Sequence, residues 1–505
     1  MKSSIIIISL ILTSISNNIV SQINVFYKLY DVNYNYESAN SLLQDYDGNY
    51  IIVANMLNLT LSTDANYLIK LNNKGDTLWS LIYDSNPQGD MPKSIIQNTS
   101  NNYIISGFMH DTSEANTDMF LLEVKFDGSF SWFKQFGGNN SDYNEKVILT
   151  NDGGYLLAGS TLSNTNGYED AYLVKTDSLG NQQWEKQYGG ANADVFNSVI
   201  QTSDGGFAAV GYSYSYGTYN QIYLVKTDSS GNMQWYKTFA YEQGAGASDL
   251  KQTTDGGFII AADFYVSATD QTDAYLLKTD SLGIKQWDKV YSLGNETEYF
   301  HTVYLSPTGY NLAGGTYDYS LSTPKPRGWL IKADTNGDTL WTKTYTYYGG
   351  NTSDYLYDMQ PTSDGGFVLS GMIINNPLPY KNDIFVIKTD SLGNTCIPVS
   401  TSHDGCWDTI TVIPNSILQT PNPSLLIYPN PVTNGKIIIE YNFENNENRD
   451  FIIYDISGKV IYQSILTGKN NIYEINNLKI SSGIYYYKVL SKNENSFFSK
   501  IIIIN

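Results

Sequence analysis

A segment of about fifty residues occurs seven times along this chain, and this repetition constrains the fold more than any other feature. In the fourth copy, Gln-Thr-Ser-Asp-Gly-Gly precedes Phe207, Tyr-Leu-Val-Lys-Thr-Asp ends at Asp228, and Trp235 follows. The aromatic residue after the first turn recurs at intervals of 53, 52, 52, 51, 52 and 57 residues. The seven aromatic residues are Tyr50, Tyr103, Tyr155, Phe207, Phe258, Tyr310 and Phe367.

Each copy predicts four short strands. The first two are joined by an Asp-Gly-Gly turn, in which glycine supplies the positive φ that tight hairpins require. The second segment is apolar without alternation, which indicates burial on both faces. A Thr-Asp-Ser-x-Gly turn separates the third segment from the fourth. The Asp-Gly-Gly turns begin at Asp152, Asp204, Asp255 and Asp364.

The two ends of the repeat distinguish a linear solenoid from a closed ring. The seventh copy lacks its fourth segment, because the chain reads Cys396-Ile397-Pro398 where an aromatic residue is due. The missing pattern stands before the first copy, as Phe26, Lys28 and Tyr30. We therefore expect the N-terminal strand to complete the last sheet and leave no open edge. The sequence predicts an all-β, seven-bladed β-propeller over residues 22–397.

One large aromatic residue recurs at the start of each fourth segment. A row of aromatic rings could form a platform for sugars or a packing position repeated once per blade. The regular recurrence favours packing. These residues are Phe26, Trp79, Trp132, Trp184, Trp235, Trp287 and Trp341.

The turn and strand from Asp177 through Gly180 to Trp184 resemble the tryptophan-docking repeat of quinoprotein propellers and are similar to the Asp-box of sialidases. Both resemblances cover one turn and one strand per blade. They imply architecture and carry no information about activity.

Residues 1–21 are predicted to be a secretory signal peptide. Lys2 supplies the positive charge, and the apolar run from Ile5 to Leu12 is too short to span a bilayer. No later segment reaches membrane-spanning length, so we expect no integral membrane segment in the mature protein. Residues 398–424 form a predicted linker rich in Thr, Ser, Asn and Pro, and residues 425–505 form a second domain.

The second domain is predicted to be a small Ig-like β-sandwich, because about seven short strands fit its length. Its motifs, in order at the C-terminus, resemble the sorting domain of type IX secretion substrates from Bacteroidetes-type bacteria. The resemblance implies passage through the periplasm, the type IX machinery as partner, and a secreted or outer-surface product. Whether the domain is then removed stays open. The motif residues are Tyr428, Pro429, Asn430, Pro431, Gly458, Gly483 and Lys500.

Charge and cysteine content narrow the ligand classes. The chain has a net charge of −20, and residues 425–505 contribute almost none of it. An acidic body should repel nucleic acids and anionic lipid surfaces. Cys396 and Cys406 are expected to form a local disulfide in an exported protein, since two thiols without a histidine cluster make a poor metal site.

The sequence predicts no catalytic residue, no metal site and no cofactor. The turn aspartates could bind calcium, but one carboxylate per turn supplies few of the required oxygens. His110, His301 and His403 stand in loop-like or linker text with no Ser, Cys or Asp constellation beside them. Arg327 and His301 are the residues to check for a cluster at the central channel.

The loops of the predicted ring differ between its two faces. The Asp-Gly turns of one face are short and repeated, whereas the loops of the other face, such as Tyr212–Tyr219, differ from blade to blade. Loops rich in Tyr, Ser, Asn and Gly suit adaptable recognition. The leading prediction is a non-catalytic binding or adhesion module for a glycan or a protein. A secreted propeller enzyme and a passive structural protein stay open as alternatives.

Overall fold

The structure is a computed structural model of the 505-residue chain. The described residues of the ring are 25–31, 36–58, 63–83, 89–110, 116–165, 168–240, 243–266, 271–294, 296–318, 325–346, 353–375 and 381–395. The described residues after the ring are 411–412, 418–419, 425–428, 432–433, 437–442, 449–454, 459–467, 470–475, 483–490 and 497–504. The predicted signal peptide, Cys396, Cys406 and His403 lie outside these ranges.

Twenty-eight strands form seven antiparallel sheets, the blades. Blade 1 comprises β2 (Tyr36–Gln44), β3 (Tyr50–Asn58), β4 (Thr63–Leu71) and β5 (Thr77–Tyr83). Blade 2 comprises β6 (Asp90–Gln97), β7 (Tyr103–His110), β8 (Thr117–Val124) and β9 (Phe130–Phe136). Blade 3 comprises β10 (Asp142–Leu149), β11 (Tyr155–Thr161), β12 (Asp170–Thr176) and β13 (Gln182–Tyr188). Blade 4 comprises β14 (Asp194–Gln201), β15 (Phe207–Ser213), β16 (Gln221–Thr227) and β17 (Met233–Phe239). Blade 5 comprises β18 (Ala245–Gln252), β19 (Phe258–Val266), β20 (Gln271–Thr279) and β21 (Lys285–Tyr291). Blade 6 comprises β22 (Glu296–Ser306), β23 (Gly309–Asp318), β24 (Lys325–Ala333) and β25 (Thr339–Tyr345). Blade 7 comprises β26 (Ser353–Pro361), β27 (Phe367–Asn375), β28 (Lys381–Thr389) and β1 (Phe26–Asp31).

The N-terminal strand closes the ring. β1 pairs antiparallel with β28, with Phe26 opposite Lys388 and Tyr30 opposite Ile384. Seven apolar cores lie between neighbouring blades, and one of them joins blade 7 to blade 1. The predicted seven-bladed propeller, closed by the N-terminal strand, is therefore confirmed.

The outer-strand aromatic residues pack against the next blade. The Trp184 ring lies against Gly231, where an added Cβ would come within 2.8 Å of it. The centroid of the same ring lies 6.1 Å from that of Phe207, the first residue of the second strand, and the two rings are tilted by 55°. Phe26 makes the equivalent contacts with Gly75 and Tyr50 across the ring closure. All seven aromatic pairs have centroid distances of 6.1 to 6.2 Å.

The alternating aromatic-x-Lys-x-aromatic pattern of the outer strand has a physical reason. Two residues after the tryptophan, the Lys186 stem lies against Gly231. Two residues further on, Tyr188 donates a hydrogen bond to the Gly231 carbonyl at 2.6 Å. Because side chains alternate along a strand, all three contacts come from one face. Each outer strand thus fixes the third turn of the next blade.

The first strands of neighbouring blades contact one another around the ring and line its central channel. Each of them has a β-bulge at the same place, so that one extra residue interrupts the pairing. Bulges redirect side chains and increase local twist. The extra residues are Asn40, Lys93, Glu145, Asn197, Ser248, His301 and Tyr357.

The C-terminal segment forms two sheets around a separate core that includes Ile439, Phe451 and Val489. This agrees with the predicted small sandwich. One sheet contains β31 (Leu425–Tyr428), β33 (Ile437–Asn442) and β36 (Asn470–Ile475). The other contains β32 (Val432–Thr433), β38 (Phe497–Ile504), β37 (Gly483–Leu490), β34 (Arg449–Tyr454) and β35 (Val460–Leu466).

Two short strands lie within the predicted linker. β29 (Thr411–Val412) pairs parallel with β1, and β30 (Leu418–Gln419) pairs parallel with β5. The linker thus adds an edge strand to blade 7 and another to blade 1, on either side of the ring closure. Over the residues described, the chain has no helix with the length and hydropathy needed to traverse a bilayer.

Two glycines of blade 4 provide a matched test of the packing between blades. Gly205 and Gly231 have φ values of 83° and 76°, but only Gly231 faces a tryptophan. Gly205→Ala should lower the free energy of unfolding by about 1 kcal/mol, the cost of a left-handed alanine. Gly231→Ala should cost about 1–3 kcal/mol more, because the methyl group overlaps Trp184. Equal losses in urea-induced unfolding would contradict this account of the contact.

Candidate ligand site at the channel mouth

The Asp-Gly turns of the uniform face are held by lysines from the third strands. Lys226 Nζ lies 2.9 Å from Asp204 Oδ2 and donates to the Thr227 carbonyl at 2.8 Å. Blades 3, 5 and 7 have the same ion pair, formed by Lys175, Lys278 and Lys388. The lysine side chains are nearly buried. An ammonium therefore occupies the place beside the carboxylate that a calcium ion would need.

Blades 1 and 2 show that this arrangement can vary. In blade 1, Lys70 pairs with Asp45 at 3.0 Å. In blade 2, Glu123 takes the lysine position and accepts a hydrogen bond at 2.8 Å from Asn98, which stands at the position of Asp45 in blade 1. The charges change while a polar pair is retained, which indicates a structural role for these turns.

The ion pairs predict a loss of stability in acid. Burial raises the pKa of Asp204, but hydrogen bonds from Thr202 and Lys226 outweigh it and hold the pKa at about 2. Because the folded pKa is below the unfolded one, this stabilisation is present above about pH 4 and is lost as the pH falls through 2.

Asp204→Asn should therefore reduce the loss of unfolding free energy between pH 5 and pH 2.5 by a few tenths to about 1 kcal/mol, since the carboxylate is largely exposed. Lys226→Met should also reduce it, while lowering stability at both pH values. Urea unfolding at the two pH values measures both effects. An acid profile identical to that of the wild-type protein in both variants would show that the pair makes no contribution.

The floor of the channel is formed by two aspartates that connect blades. Asp249 accepts hydrogen bonds from Ser198 at 2.7 Å and Thr302 at 3.0 Å, and it pairs with Lys251 at 2.6 Å. These contacts join blades 4, 5 and 6. Asp358 accepts hydrogen bonds from Ser41 at 2.9 Å, across the ring closure. Both carboxylates are almost fully buried. Because they accept hydrogen bonds from residues of other blades, their role is to hold the blades together.

Several bulge residues also connect blades. Asn40 donates to the Pro92 carbonyl at 2.6 Å, and Asn197 donates to the Ala247 carbonyl at 2.8 Å. Lys93 pairs with Glu145 at 3.1 Å. In blades 6 and 7 the bulge positions hold His301 and Tyr357, whose rings lie 5.7 Å apart. Tyr357 also forms a hydrogen bond with Ser38 of blade 1.

Five rings of blades 6 and 7 converge where the first strands begin. His301 lies 4.9 Å from Tyr299 and 5.7 Å from Tyr357, and Tyr317 lies 5.7 Å from Tyr355. Tyr355 and Tyr357 are nearly parallel, with a centroid distance of 6.3 Å. We call these five residues the aromatic cluster. Since the first strands start at the face with the variable loops, the cluster lies at the mouth of the channel on that face.

The histidine of the cluster is uncharged at neutral pH. Burial lowers the pKa of His301 to about 4. Its Nε2 has no hydrogen-bond partner among the described residues. The cluster therefore offers ring faces and neutral polar atoms, a lining typical of sites for uncharged ligands.

The two residues singled out for the channel have different surroundings. His301 was expected in loop-like text, but it is the bulge residue of β22 and belongs to the cluster. Arg327 lies in β24 and pairs with Glu296 at 2.5 and 2.6 Å. His110 ends β7, in blade 2.

Sequence reasoning missed the four tyrosines of the cluster. Tyr355 and Tyr357 stand two residues apart, as do Tyr299 and His301, which is the period of one strand face. That signal was present in the sequence. Among the residues that the structure describes, no group of three or more His, Cys, Asp or Glu side chains is placed to hold a metal ion.

The sorting motifs of the C-terminal sequence are supported by comparison with known families. Residues 426–504 match the family described as the secretion system C-terminal sorting domain. This segment is a type IX sorting domain. The protein is therefore secreted or displayed on the outer cell surface. Of its motif residues, Tyr428, Gly483 and Lys500 lie in strands, while Pro429, Asn430, Pro431 and Gly458 are outside the described residues.

Several solved structures have low similarity to this chain. The polysaccharide lyase Uly1 is 9% identical over 69% of this chain and 89% of its own, with a TM-score of 0.44. The propeller domain of the Trilobed protease from Pyrococcus furiosus is 10% identical over 74% and 99%, with a TM-score of 0.44. The endo-arabinase from Bacteroides thetaiotaomicron is 12% identical over 47% and 92%, with a TM-score of 0.29. Among curated proteins, none matches this sequence significantly.

Proposed function

We propose that the ring is an extracellular glycan-binding module whose ligand enters the channel mouth and stacks on the aromatic cluster. The observation that carries the proposal is the convergence of five rings at the mouth, on the face whose loops differ from blade to blade. Aromatic side chains supply large, rigid contact area at low entropic cost. Export places this surface in contact with extracellular polymers.

The rest of the ring supports a binding role. The floor aspartates are occupied in holding blades together, and the uniform face is occupied by ion-paired turns. The side chains at the mouth are therefore less engaged in hydrogen bonds and ion pairs that hold blades or turns together. A rigid base with individual loops is a common arrangement for recognition sites.

Tyr355→Ala and Tyr357→Ala test the proposal directly. Each should weaken binding to the preferred glycan about tenfold, because central aromatic contacts contribute more than 1 kcal/mol in binding sites. The measurement is calorimetric titration, after a glycan array has identified the ligand with the full chain.

Tyr214→Ala is the matched control. Tyr214 is an exposed tyrosine of the variable loop in blade 4, outside the cluster. It should leave affinity within twofold. Loss of binding in the control alone would move the site to that loop. A blank array with folded protein would contradict glycan binding and favour a protein ligand.

A propeller enzyme is the second candidate. The observation that favours it is the presence of an uncharged histidine among tyrosines in the channel, an arrangement that can transfer protons. Incubating the protein with the polysaccharides that it binds and measuring new reducing ends distinguishes the two. Product formation that is abolished by His301→Gln would establish catalysis, and its absence with intact binding would leave the non-catalytic role.

A further inference from the structure

The channel mouth has a gap in blade 5. In each of the seven first strands, the residue two positions before the bulge residue lies at the same level of the channel mouth. Six of these residues have side chains beyond Cα, and Gly246 has none. The other six are Ser38, Met91, Tyr143, Val195, Tyr299 and Tyr355.

Neither the backbone nor the packing requires glycine at position 246. Its φ is outside the left-handed region, and an added Cβ would meet nothing nearer than 3.8 Å, the distance to Tyr212 Cβ. By contrast, a Cβ on Gly211 of the neighbouring blade would lie 2.0 Å from the Val195 carbonyl oxygen. A methyl group at position 246 would make ordinary van der Waals contact with Tyr212 and Asn220, so the fold does not require that a side chain be absent there.

Asp263 lies next to this gap. It is paired with Gly246 on one side and Ala274 on the other, so neither cross-strand neighbour has a side chain larger than a methyl group. Side chains of directly paired residues point to the same face of a sheet. The Asp263 side chain is partly exposed, and neither paired residue has a side chain long enough to cover it.

Asp263 also differs from the other carboxylates near the channel. Asp249, Asp358 and Glu145 have hydrogen bonds or ion pairs. Asp263 has neither with the residues that the structure describes. Burial alone raises its pKa to about 7. A carboxyl group that is partly removed from water without a partner is a recurrent feature of functional sites.

We propose that the gap at Gly246 is a subsite in which Asp263 accepts hydrogen bonds from the hydroxyl groups of a neutral sugar ring. This rests on the proposed glycan-binding function and deepens it. When Asp263 is ionised, above its pKa of about 7, its carboxylate accepts hydrogen bonds and cannot donate them, so the ligand must supply donors. Uronate or sulfated rings are disfavoured by the like charge of Asp263 and by the net charge of −20.

Gly246→Val tests the gap by placing there the side chain that blade 4 has at this position, Val195. It should weaken binding of the neutral glycan tenfold or more without changing the thermal midpoint. Asp263→Asn should weaken it about tenfold, since a hydrogen bond to a charged group is replaced by one to an amide. Met91→Val places the same side chain at the same level in blade 2, where no gap is filled, and should leave affinity within twofold.

The outcomes separate this subsite from the proposed function. Wild-type affinity in both Gly246→Val and Asp263→Asn, with loss in Tyr355→Ala, would reject the subsite and retain the aromatic cluster. A preference for uronate or amino sugars over neutral sugars on the array would reject the ligand class. No saturable glycan binding by the wild-type full chain would reject both proposals together.

Discussion

The whole ring depends on one contact, the packing of an outer-strand aromatic residue onto a glycine and an aromatic residue of the next blade. A four-stranded sheet alone has two apolar faces and an exposed edge, and neither is stable in water. The contact is made seven times with almost the same geometry, including the closure between Phe26 and Gly75. Because a ring has no terminal blade, every apolar face is covered.

This contact also explains why the two faces of the propeller differ. In most blades the outer strand places an aromatic residue, a lysine and a second aromatic residue on the third turn of the next blade. A buried lysine holds the first turn of most blades, and Glu123 takes its place in blade 2. Both kinds of turn lie on the same face and cannot vary without loss of packing or of an ion pair. The opposite face has no such contacts in common, so its loops and the adjoining ends of the first strands are free to differ. The aromatic cluster and the gap at Gly246 both lie there.

The fold could be predicted from the sequence because it follows from local signals that repeat. The spacing of the seven aromatic residues predicts the blades, and the displaced Phe26–Lys28–Tyr30 pattern predicts the closure. The pairing of Lys226 with Asp204 was missed, since 22 residues separate the partners and only strand pairing brings them together. The conserved spacing of Lys and Asp in the copies was available as a signal.

The candidate site could be predicted only in outline. The sequence placed a recognition surface on the variable face and named His301 for the channel. It could not show that the rings of blades 6 and 7 meet, because the contacting residues are 38 to 56 positions apart in the sequence and only the closed ring brings them together. Asp263 is one of 50 acidic residues, and its isolation depends on which residues stand opposite it. The role of Gly246 can be recognised only when the strand register shows which residues lie beside it.

The central claim is that ligand binds at the channel mouth of blades 5 to 7. Hydrogen–deuterium exchange of the full chain, with and without a saturating neutral oligosaccharide from the array, tests it most directly. The account predicts slower exchange in peptides that cover Glu296–Ser306 and Ser353–Pro361, and unchanged exchange in the Asp204 and Asp228 turns. Protection confined to those turns, or to loops distant from the channel, would contradict it.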